Sequence, residues 1–127
     1  MDLQSIAITD EAIEMPIYDG AGTKTDASLQ VIGQDSDEYK RKARSIYKTA
    51  LKKAPKGDLN NLNEDDDESF SIKLRATHIK GWSGIQENGK DIPYSQENAE
   101  YIIKKYPFIT DQLVEFVSAR ENFMKAS

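Results

Sequence analysis

The chain has 127 residues and a mass of 14.3 kDa, one domain's worth of polypeptide with room for a modest single core. It contains no cysteine, which excludes a disulfide framework, a thiolate nucleophile and a cysteine-bound metal. No apolar run approaches the ~20 residues that span a bilayer, and at a net charge of −5, with an acidic stretch 1–15 unlike a signal peptide, the chain is expected in the cytoplasm.

Residues 1–10 lack periodicity and read as a flexible arm. Ile13, Met15 and Ile17 then alternate onto one face, the pattern of a half-buried strand. DGAGTKTD, residues 19–26, is turn chemistry, and SLQVIG, residues 28–33, is a second short strand, so the N-terminal region predicts a β-hairpin with a long loop.

Residues 35–54 give the clearest element. Asp35 is positioned as an N-cap, with Glu38 three residues later in capping-box register. Tyr39, Ala43, Ile46, Tyr47, Ala50, Leu51 and Ala54 fall on one helical face. The other face is basic, and residues 35–57 hold eight bases against three acids. Pro55 and Gly57 end the helix. Residues 58–68 carry six acids and no base, and 56–68 read as an acidic linker within the domain. Blocks of opposite charge this close attract one another at low salt.

Residues 69–80 fit two patterns: Phe70, Ile72 and Leu74 alternate as in a strand, whereas Ile72, Ala76 and Ile79 suit a helix. A helix ending at Gly81 is favoured, because Asp65 to Glu68 place negative charge at its N-terminus. GWSGIQENGKDIPYS, residues 81–95, follows. Gly81 and Gly84 end the helix and reverse the chain. Asn88-Gly89 makes a tight, hairpin-like turn, Pro93 keeps the exit extended, and Trp82 packs under this structural corner. Ser95 caps a helix with apolar Ala99, Ile102, Ile103 and Tyr106. Pro107 opens a last helix whose stripe runs Ile109, Leu113, Phe116, Val117, Phe123 and Met124. The whole, residues 1–127, is a single small domain of α+β class, mainly α: an N-terminal β-hairpin followed by about four helices.

Chemical motifs fail on inspection. DGAGTKT has Thr23 where a phosphate-binding loop needs glycine before Lys24, and a strand follows instead of a helix. GWSG is one residue short of a nucleophile elbow, and the only histidine, His78, reads as a surface or helix-terminal residue. The acid run Glu64–Glu68 lacks the glycine and terminal glutamate of a calcium loop. Catalytic, cofactor-binding and metal-binding residues are therefore all expected to be none. The basic helix faces an acidic chain overall, which argues against nucleic acid as a partner. Phe116, Phe123 and Met124 are the candidate partner-binding residues, as the part of the last apolar stripe that could stay exposed.

Several of these features occur in a familiar order. Gly81-Trp82, Asn88-Gly89, Pro93-Tyr94-Ser95, Glu97-Asn98-Ala99 and Asn122-Phe123, preceded by VIGQDSDEYKRKAR at 31–44, resemble the small tail assembly chaperones of long-tailed phages and prophages. The resemblance covers roughly residues 28–124. It implies a non-enzymatic protein of the host bacterial cytoplasm that binds the tape-measure protein and tail-tube protein and is absent from the mature virion. It also implies a longer, frameshifted companion to this short form. A homo-oligomer is compatible with it, and a membrane partner is not expected. The alternatives are a minor structural tail or virion protein and, in another class, a small nucleic-acid-binding regulator.

Overall fold

A computed structural model describes residues 1–125, and these form an α+β domain with the expected N-terminal hairpin and four α-helices. Strands β1 (Ile13–Tyr18) and β2 (Lys24–Val31) pair antiparallel around a turn in which Asp19 Oδ1 accepts from the N–H groups of Ala21 and Thr23. Met15, Ile17, Leu29 and Val31 share the buried face, as period-two alternation requires. Strand β2 starts at Lys24, so the connection is shorter than its glycines suggest.

Helix α1 spans Asp37–Lys53, and its N-cap is Ser36, whose hydroxyl accepts from Tyr39 N–H at 3.1 Å. Asp35, the expected cap, instead accepts from Arg120 at 2.7 Å. That charge-assisted pair ties the helix start to the C-terminal segment and holds the Asp35 carboxyl below its usual pKa. Residues 1–10 are also tied down in part. Asp10 accepts from the Asp37 N–H, Thr9 N–H donates to the Phe123 carbonyl, and Lys125 N–H donates to the Ala7 carbonyl.

The acidic stretch is helical in part. Helix α2 runs Glu64–Thr77, capped by Asn63, with Glu64, Asp65, Asp66 and Asp67 in its first turn, where carboxylates offset the partial positive charge of unpaired N–H groups. Only residues 56–63 of the expected linker remain outside α-helix. His78 is the C-cap, not a surface residue: it is buried, stacked on Tyr39 at 4.0 Å, and its Nδ1–H donates to the Ile32 carbonyl at 2.8 Å. Burial pushes its pKa down, against a smaller upward pull from that carbonyl.

A third strand, β3 (Ile79–Ser83), replaces the expected helix end at Gly81. It pairs antiparallel with β2, making the order β1-β2-β3. Ile79 lies opposite Val31 and Trp82 opposite Leu29, with one extra β3 residue against Gln30. This bulge puts two residues three apart on the same face, which regular alternation forbids. The remaining elements are the short strands β4 (Gln86–Glu87) and β5 (Lys90–Asp91), helix α3 (Gln96–Lys105) capped by Ser95, and helix α4 (Pro107–Ser118). Leu29, Val31, Ile79, Ile102 and Leu113 are at most 1% exposed and mark the core between the sheet and α3–α4.

Candidate functional site

Residues 81–95 build the corner from which a partner surface follows. Gly81 lies within β3 opposite Gln30, so it makes no turn. The reversal falls at Gly84, with φ +74°, where a Cβ would sit 2.9 Å from the Asp26 carbonyl oxygen. Asn88 and Gly89, at φ 55° and 79°, form the tight turn that joins β4 to β5. Ile92 N–H closes the loop on the Ile85 carbonyl at 2.9 Å.

Trp82 fastens this corner to the sheet. Its indole N–H donates to the Ile92 carbonyl at 2.7 Å, and its ring meets Tyr94 edge to face at 5.2 Å. The Tyr94 hydroxyl donates to the Ile79 carbonyl. Pro93, exposed, leaves its carbonyl to accept from the Asn98 amide at 2.8 Å. The other side of the corner is held by charge. Glu87 accepts hydrogen bonds from the Tyr106 hydroxyl, from the Tyr101 hydroxyl at 2.8 Å and from Lys105 at 3.0 Å. Those donors, Tyr106 first, hold its carboxyl down to about 2.

Between this corner, the β1–β2 hairpin and helices α3 and α4 lies an apolar groove of about 290 Å³. Its walls are Ile17, Ala27, Ile85, Ile92, Ile102, Tyr106 and Ile109, with Asp19, Thr25 and Gln86 supplying polar edges. Phe108 also lines it and is 44% exposed. Sequence reasoning missed the groove because its walls come from four separate segments. Phe108 was the one local signal, an aromatic residue off the stripe of α4.

The expected partner-binding residues lie elsewhere and do not form one exposed stripe. Helix α4 stops at Ser118, and a 3₁₀ turn over Arg120–Phe123 carries the chain inward. Phe123 is 2% exposed, packed edge to face on the half-buried Phe116 at 5.5 Å and against Gly33. It is a core residue, so its place on a free surface is corrected. Met124 is exposed and bridges to Ile8.

The charged blocks also differ from expectation. Among the described residues no cation of α1 pairs with the acids 58–68; Lys42 pairs with Glu38, which also accepts from Lys80 at 2.6 Å. The hydroxyl of Ser83, in the elbow-like GWSG, meets that of Ser28 at 3.1 Å. Among the described residues no group of three or more His, Cys, Asp or Glu could hold a metal ion. None of their helices is long and apolar enough to cross a membrane.

The geometry describes a small α+β domain with a structural corner and an apolar groove beside it. The family model for the YdaY prophage protein matches residues 34–127. The chain belongs to that prophage protein family. The match begins just after β2, so it takes in every α-helix and the corner but leaves the β1–β2 hairpin outside. No curated protein and no solved structure matches the chain.

Proposed function

We propose that this prophage protein is a non-enzymatic tail assembly chaperone, which binds the tape-measure protein and helps recruit tail-tube subunits. The observation that carries the reading is the apolar groove with Phe108 at its mouth. A concave apolar surface edged by a few polar groups suits the apolar face of an amphipathic helix, which places side chains at i, i+3, i+4 and i+7. Long helical segments that expose such faces aggregate unless covered, and a partner carrying many charges keeps the complex in solution. The ordered motifs of residues 81–124 support the same reading through their resemblance to tail assembly chaperones. On this reading the chain works in the host cytoplasm and leaves before the particle is complete.

Co-expression with the tape-measure protein of the same prophage tests the proposal. The expected result is a soluble complex that survives purification, and its loss with Phe108→Asp, whose exposed site spares the fold. No complex and no gain in tape-measure solubility would overturn it. So would recovery of the chain at stoichiometric copy number in mature tails, which is the mark of a structural tail protein.

A further inference from the structure

The outward face of α1 is the largest feature the groove leaves unexplained. Lys40, Arg44, Lys48 and Lys52 stand four residues apart, which sets them in one row about 18 Å long. None of them makes an ion pair among the described residues. Beside the row, Tyr47 and Leu51 are 44% and 42% exposed, so the face is a basic ridge with an apolar flank.

Its complement is present in the same molecule. A groove of about 350 Å³ between α2 and α3 is walled by Asp65, Glu68, Glu97 and Glu100, with Ile72 and Tyr101 supplying apolar surface. Among the described residues that line it, Lys104, 3.9 Å from Glu68, is the one cation that offsets that charge. The two surfaces cannot meet within one chain. Helix α2 presents Asp66, Phe70 and Lys73 towards α1 and Asp65, Glu68 and Ile72 towards α3, so it stands between them.

We propose that the α1 ridge of one copy docks into the α2–α3 groove of a second copy. The two surfaces carry charge of opposite sign, and each has exposed or groove-lining apolar residues beside that charge. Because the two patches are different surfaces, the contact is head-to-tail, and repetition extends it into a ring or an open array. The net charge of −5 repels copies at long range, but at ~0.1 M salt the screening length of ~10 Å leaves the local patches in control. The inference is independent of tape-measure binding, since it concerns the purified chain alone.

Sedimentation velocity of the full chain in ~0.1 M and ~1 M salt tests it. Dimers and larger species are expected at the lower salt and monomer at the higher. Arg44→Glu with Lys48→Glu, and separately Glu68→Lys with Glu100→Lys, should each abolish assembly while keeping the helical circular dichroism of the parent. Mixing the two double variants should restore it, because the reversed ridge of one fits the reversed groove of the other. A parent chain that stays monomeric at the lower salt overturns the proposal, as does assembly that survives both reversals. A parent that remains monomeric but shifts duplex DNA in a salt-sensitive way would also overturn it and assign the ridge to phosphate backbones.

Discussion

Helices α1 and α4 both carry a clear apolar face in the sequence, yet they end at different depths. In α4, Ile109, Leu113 and Val117 are buried against α3 and the sheet. In α1 the buried residues are Ala43 and Ala50, while Tyr47 and Leu51 keep more than two-fifths of their surface. An amphipathic pattern states which face turns inward but not how much lies behind it. Helix α4 has β1, α2 and α3 beside it, whereas α1 packs chiefly on α2. Alanine lets α1 approach closely and contributes little apolar area, so the larger residues at its edge stay available.

The largest expected effect is at the deep end of that contrast. Leu113 has no exposed surface, and Leu113→Ala leaves a cavity that its close-packed neighbours cannot fill. It should cost about 2–5 kcal/mol in chemical denaturation. A loss below about 1 kcal/mol would mean that α4 is no better packed than α1 and would remove the distinction.

Trp82 tests whether the corner belongs to the deep or the shallow region. It is half-buried, yet its N–H satisfies the Ile92 carbonyl and its ring joins the sheet to the loop. Trp82→Ala should cost about 3 kcal/mol, read as a lowered denaturation midpoint. An unchanged midpoint together with lost partner capture would move Trp82 from the fold to a binding surface.

Legibility followed the range of the interactions that fix each element. Asn88-Gly89 and Ser95 were readable because a positive-φ turn and an N-cap depend on residues within four positions. Strand β3 was not, because Gly-Trp-Ser becomes a strand only when β2 lies alongside it, some fifty residues back in sequence. The N-cap of α1 shows the same limit: local pattern reads Asp35 as the cap, but it is held by Arg120 from the far end of the chain, and Ser36 caps the helix. The helical start at Glu64 was hidden by an acid run that local pattern reads as solvated linker. The pattern puts Phe123 on the stripe of the last helix and on a free face, and neither holds: the helix ends five residues earlier, and a 3₁₀ turn carries Phe123 into the core. The groove had no local pattern at all.

The outer hold on the corner should respond to acid. Glu87 has a folded-state pKa of about 2 against an ordinary 4.5. A carboxyl lowered in this way stabilises the fold above its ordinary value and loses that contribution as pH falls through about 2. Trp82 is the only tryptophan, so its fluorescence reports the corner directly. Between pH 4.5 and 2 the parent should shift its emission as β4–β5 leave α3, and Glu87→Gln should flatten that part of the profile. Identical profiles for the two proteins would show that the Glu87 cluster does not hold the corner.

The smallest effect belongs to the shallow end. Leu51 already meets solvent and sits at the margin of an alanine-lined face, so truncation opens no enclosed cavity. In ~1 M salt, where the copies separate, Leu51→Ala should change stability by no more than about 0.5 kcal/mol, several-fold less than the same substitution at Leu113. The two leucines carry identical side chains on helices of similar pattern, so the difference isolates what lies behind each face. If Leu51→Ala instead matched Leu113→Ala, the exposed edge of α1 would have to be covered in solution. Dilution would then separate the two causes: a cost that fades as protein concentration falls belongs to an interface between copies, and one that persists belongs to the packing of α1 on α2.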